Sequence, residues 1–105
     1  MKRYDVQISA SAEEDMEAIY KYIAENLLSP VTAAKQYNRI ADGILSLEAN
    51  PERIKIMDSE PEHSQGLRPL LVDNYTVFFV VTANIVKIVR VLYGASDISR
   101  RLFEE

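Results

Sequence analysis

A chain of 105 residues, 48% of them apolar, is long enough for one modest core, so a single domain over residues 1–105 is expected. The absence of cysteine excludes a disulfide framework and thiolate metal ligands, and a single histidine leaves no soft-metal set, so neither a metal nor a cofactor is expected. The net charge of −4 is concentrated early: residues 1–52 carry nine Asp and Glu against five Lys and Arg, which argues against affinity built on many phosphate contacts.

In chain order, Tyr4, Val6 and Ile8 alternate with Asp5, Gln7 and Ser9, the period of a half-buried strand. Ser11-Ala12-Glu13-Glu14 has the pattern of a capping box, and acidic residues at 13–15 suit the positive end of a helix. Met16, Ile19, Tyr20, Ile23 and Leu27 then form one apolar stripe, predicting a helix to about Leu27 or Leu28. Ser29-Pro30 opens a second helix, with Ala33, Ala34, Tyr37, Ile40, Ala41, Ile44, Leu45 and Leu47 expected on its inner face and Pro51 closing it. So short a connection predicts an antiparallel helical hairpin.

Ile54 to Met57 reads as a short edge strand, and Asp58 to Gly66 as a loop holding Pro61 and His63. Leu67–Val72, Tyr75–Thr82 and Ile85–Tyr93 read as three strands of an antiparallel meander, turned at Asp73-Asn74 and Ala83-Asn84. The near-continuous apolar run of the last two suits central strands covered on both faces. A final helical turn is expected over Ile98 to Phe103. The stretch from Tyr75 to Tyr93 is broken by Thr82, Asn84, Lys87 and Arg90, and no signal-like apolar core follows Met1, so no membrane association and a cytoplasmic location are expected.

The order strand, helical hairpin, meander carries Tyr4-x-Val6, Ala12-x-x-Asp15, Ile19-x-x-Tyr22-Ile23, Ser29-Pro30 with Ala33-Ala34, Leu47-x-x-x-Pro51, Gly66-x-Arg68, Asn74-Tyr75 and Arg90-Val91-Leu92-Tyr93-Gly94. In this order the motifs resemble the RelE/ParE family of toxins from bacterial type II toxin-antitoxin modules, with the ParE-like branch favoured. The resemblance implies an α+β fold, β-α-α-β-β-β, with the hairpin packed on a small, mainly antiparallel sheet. It also implies growth arrest and plasmid stabilisation, neutralisation by a cognate antitoxin, and a toxin-antitoxin hetero-oligomer.

Two targets compete within that resemblance: DNA gyrase, and the translating ribosome with its mRNA. A nuclease of this kind cleaves without metal and needs a base, an acid and cations around the phosphate. Relatives of the nuclease branch often carry arginine after the third-strand tyrosine and a basic residue after the final-strand glycine. Thr76 and Ala95-Ser96 stand there instead, which speaks for gyrase. The alternatives are a RelE-type mRNA interferase using Arg68, Arg90 and Tyr93, and a non-toxic homologue that only binds an antitoxin.

For target binding the candidates are Arg68, Lys87, Arg90, Arg100 and Arg101, and for antitoxin binding Tyr22, Leu28 and Tyr37. Each also has a plainer reading. Arg68 can pair with Asp73 or a helix carboxylate, Arg90 can pair with a carboxylate, and Lys87, Arg100 and Arg101 can be solvated surface charge. Tyr93 and the helix tyrosines can be packing residues. His63 reads as a surface residue.

Overall fold

The structure, a computed structural model, describes residues 3–94. Its elements are β1 (Asp5–Ile8), α1 (Ala10–Lys21), α2 (Pro30–Leu45), a short α3 (Glu62–Gln65), β2 (Arg68–Val72), β3 (Tyr75–Thr82) and β4 (Ile85–Tyr93). The strands form one sheet in the order β1-β4-β3-β2, with β1 parallel to β4 and the other pairings antiparallel. This is the expected α+β arrangement of a strand, a helical hairpin and a meander. The final helical turn expected at Ile98 to Phe103 lies outside the described residues.

The sheet is covered on both faces, which accounts for the near-continuous apolar run of its central strands. Against the helices, Val77, Phe79, Val86, Ile88 and Val91 join Ala12, Met16, Ile40, Ile44 and Leu47 in the main core. On the opposite face Leu67, Phe78 and Leu92 form a second cluster with Met57, Val80 and Val89. Gly43 lets α2 approach β2 closely, since a Cβ there would meet Val72 Cγ2 at 2.9 Å.

One irregularity in β4 organises its surroundings. Phe78 pairs with Arg90 and Phe79 with Ile88, which leaves Val89 as an extra, bulged residue. Ser9 fastens to this bulge: its N–H donates to the Ile88 carbonyl at 3.0 Å and its hydroxyl to the Val89 carbonyl at 2.9 Å. The same hydroxyl accepts from Ala12 N–H at 3.1 Å. Ser9 is therefore the cap of α1, and the expected capping box at Ser11 and Glu14 does not form, because anchorage to β4 starts the helix at Ala10.

Other local expectations also give way to tertiary contacts. The first helix loses its α-helical spacing after Lys21 and finishes as a π-turn over Tyr22–Asn26, and Leu28 adopts a left-handed φ of 53°. Ala34, Tyr37 and Leu45, expected on the inner face of α2, are exposed. The expected edge strand at Ile54 to Met57 is irregular chain, held by the Arg68 side chain and by backbone bonds from Ile54 N–H to Pro51 and from Met57 N–H to Leu67. The loop before Gly66 contains α3.

Candidate functional site

A groove of about 650 Å³ lies between the helical hairpin and one end of the sheet. Asp15, Ala18, Ile19, Tyr22, Ile23 and Leu27 line it from the first helix and its π-turn, Thr32 and Gln36 from α2, and Asn74, Tyr75, Val91 and Tyr93 from the sheet. The π-turn changes the helical phase just where Tyr22 and Leu27 are placed, so both reach the groove while remaining 55% and 58% exposed.

Asp15 fixes the floor. Its carboxylate accepts from Arg90 Nε at 2.7 Å, from Arg90 Nη2 at 2.9 Å and from Val91 N–H at 2.9 Å. This bidentate clamp is largely buried and ties α1 to β4 beside the bulge. Next to it Tyr75 and Tyr93 meet edge to face, with centroids 5.4 Å apart. Burial pushes the Tyr75 phenol above its ordinary pKa, and the neighbouring phenols of Tyr93 and Tyr22 push in the same direction.

Arg90, Tyr93 and Tyr22 are thus brought to one place, whereas Arg68 is not. Arg68 pairs with Phe79 and Tyr93 with Tyr75, a separation of four residues along β3, roughly 13 Å. The Arg68 side chain donates to the Ile54 carbonyl at 2.6 Å and stands 4.0 Å from the Glu52 carboxylate, with 14% of it exposed. Asp73 instead holds Arg39 through two bonds of 2.6 and 2.8 Å and accepts from Gln36. Lys87 is exposed beside Val80 and Gln7, five residues along β3 from the Tyr75–Tyr93 pair. Arg100 and Arg101 lie outside the described residues.

Of the three candidates for antitoxin contact, Tyr22 lines the groove and Leu28 stands 82% exposed at the hairpin tip. Tyr37 packs edge-on against Tyr20, with centroids 6.3 Å apart, and does not line the groove. Sequence reasoning missed Thr32, Gln36 and Asn74 as lining residues and missed the role of Asp15. The available signal was an acid next to Met16 and four residues before Ile19, close to the apolar stripe.

Among the described residues no cluster of three or more His, Asp or Glu side chains can hold a metal ion, and no helix is long and apolar enough to cross a membrane. The groove offers aromatic surface, a neutralised charge pair and a few amide and hydroxyl groups, a composition suited to receiving a peptide.

Solved structures share this fold. One from the chromosomal ParDE system of P. aeruginosa superposes with a TM-score of 0.74 at 22% identity, covering 89% of this chain and 98% of that one. A chain of the RelBE2 toxin-antitoxin complex of Mycobacterium tuberculosis gives 0.59 at 21% identity, covering 87% and 98%. A chain of the YoeB-YefM complex of Staphylococcus aureus gives 0.54 at 21% identity, covering 89% and 99%. No curated protein matches the chain. The family model described as "ParE toxin of type II toxin-antitoxin system, parDE" matches residues 6–98, from β1 through β4 and past the groove-lining Tyr93. The chain therefore belongs to the ParE toxin family of type II toxin-antitoxin systems.

Proposed function

We propose that this ParE-family toxin acts in the bacterial cytoplasm by inhibiting DNA gyrase, and that a cognate antitoxin silences it by laying a segment into the groove. The observation that carries the gyrase reading is the internal engagement of both sheet arginines. Arg68 is bound to the Ile54 carbonyl and Arg90 to Asp15, so each guanidinium already has an internal partner where a nuclease needs cations facing phosphate. The acidic balance of the chain supports the same reading, since a protein target needs no field of positive charge. The antitoxin reading draws support from the exposed apolar lining and from the solved relatives, which come from toxin-antitoxin systems.

The test is a supercoiling assay with purified gyrase and purified toxin, run beside pulse-labelling of DNA and protein synthesis after induction. Inhibited supercoiling and early loss of DNA synthesis are expected. Untouched supercoiling would refute the gyrase assignment. One observation favours a second reading, an mRNA interferase: the Tyr93 side chain is 61% exposed beside the Asp15–Arg90 pair and can offer its phenolic proton. That reading predicts an early collapse of translation, with transcripts cut inside coding regions. A non-toxic homologue would bind antitoxin without arresting growth.

A further inference from the structure

Three tyrosines share the groove. Tyr75 and Tyr93 face each other across β3 and β4, with centroids 5.4 Å apart and ring planes at 69°, so the two rings form a corner. Tyr22 lines the same space from the π-turn of the first helix. Burial raises the Tyr75 phenol first, and the phenols of Tyr93 and then Tyr22 add to it, so Tyr75 stays un-ionised at neutral pH within reach of both neighbours. An aromatic ring carries negative potential on its face, which attracts a cation, and a planar guanidinium also stacks on it.

The polar groups beside these rings are disposed to accept hydrogen bonds. Asp15 is the charged residue among the described lining, and its partner Arg90 is not part of that lining. Asp15 Oδ2 accepts two bonds and Oδ1 one, which leaves Oδ1 with capacity for another donor. Gln36 gives its amide N–H to Asp73 at 3.1 Å, and its amide oxygen remains an acceptor. Ala18, Ile19, Ile23 and Leu27 add apolar surface, and about 650 Å³ is ample for a short alkyl chain with a polar head.

We propose that the groove is also a binding site for a small alkylguanidinium. The planar cation stacks on the tyrosine faces and donates to Asp15 and Gln36, and the alkyl chain lies along Ile19 and Leu27. Because Asp15 is already paired with Arg90, the ring faces supply the attraction and the carboxylate gives it direction. This goes beyond the gyrase and antitoxin readings and stands apart from them, since it concerns the toxin alone.

The probes are hexylguanidinium, hexylurea, which has the same planar head without the charge, and hexyltrimethylammonium, which is charged but has no N–H. Each is titrated into the intact, isotope-labelled toxin and followed by amide chemical shifts in nuclear magnetic resonance. Hexylguanidinium is expected to bind saturably, with shifts centred on the groove, about five- to thirtyfold more tightly than hexylurea, the range a cation gains from aromatic faces between exposed and desolvated sites. Hexyltrimethylammonium is expected to fall between the two. Tyr22→Leu with Tyr93→Leu keeps apolar bulk but removes two ring faces, and brings the ratio to within about twofold of one. Tyr22→Phe with Tyr93→Phe preserves the preference, as does Tyr37→Leu, outside the groove.

Equal affinities for hexylguanidinium and hexylurea, no saturable binding at about 10 mM, or an undiminished preference in the leucine variant overturns the proposal. Hexyltrimethylammonium binding as tightly as hexylguanidinium overturns the hydrogen bonds to Asp15 and Gln36.

Discussion

Replacing Asp15 by alanine removes three acceptor contacts at once and leaves the Arg90 guanidinium and the Val91 N–H without this partner. Breaking a fully buried ion pair costs about 3–5 kcal/mol, whereas an exposed pair is worth about 0–1 kcal/mol. With side-chain exposures of 25% for Arg90 and 14% for Asp15, this pair lies nearer the buried limit, so a loss of about 2–3 kcal/mol is expected. In a domain of this size that lowers the melting temperature by about 10–15 °C. Urea denaturation followed by far-ultraviolet circular dichroism measures it. Asp15→Leu combined with Arg90→Met removes both charges and should recover roughly half of the loss or more, because the cost lies in the stranded charge rather than in the missing attraction. A loss under about 0.5 kcal/mol, or a double variant as unstable as the sum of its singles, would refute the assignment of Asp15 as the clamp of the groove.

Asp73 is held below the ordinary carboxylate range, first by its bonds from Arg39 and then by that from Gln36, so its contribution is present above the unfolded-state pKa and is lost as pH falls through the lowered folded value. Arg39→Met should flatten the acid limb of the urea midpoint below about pH 4, and an unchanged limb would contradict this. Leu28→Gly relieves a left-handed φ that costs a branched side chain about 1–2 kcal/mol and gives part back in chain entropy, so a melting temperature raised by about 3–5 °C is expected in calorimetry. Gly43→Ala gains about 1 kcal/mol of helix propensity, but places a methyl group 2.9 Å from Val72 Cγ2, on a stiff, β-branched and buried neighbour. Overpacking costs about 1–3 kcal/mol, so a net loss of roughly 1 kcal/mol is expected in urea denaturation, and a gain would show that α2 can withdraw from β2 without cost.

The hairpin and the meander were legible because their signals are local: steps of three and four from Met16 to Ile23, serine and proline at 29–30, and apolar runs between turns. What stayed hidden depends on partners distant in sequence. A bulge at Val89 has no signature inside a near-continuous apolar strand, yet it makes Ser9, not Ser11, the cap of α1. Ile54-Lys55-Ile56 alternates as a strand does, but Arg68 takes the Ile54 carbonyl. Around the groove, Tyr22 and Tyr93 are candidates the sequence offers, and both line it. Thr32, Gln36 and Asn74 carry no pattern of their own and line the groove only because the hairpin packs over one end of the sheet.

The pairing of β1 with β4 also bears on the order of synthesis. Of the described strands, the earliest in the chain hydrogen-bonds to the latest, and Asp15 waits for Arg90, some 75 residues behind it. Until β4 emerges, the nascent chain has neither the clamp nor the complete groove, and the apolar faces of its helices lack their sheet partners. Chains truncated before β4 therefore lack both the Asp15–Arg90 clamp and the sheet wall of the groove.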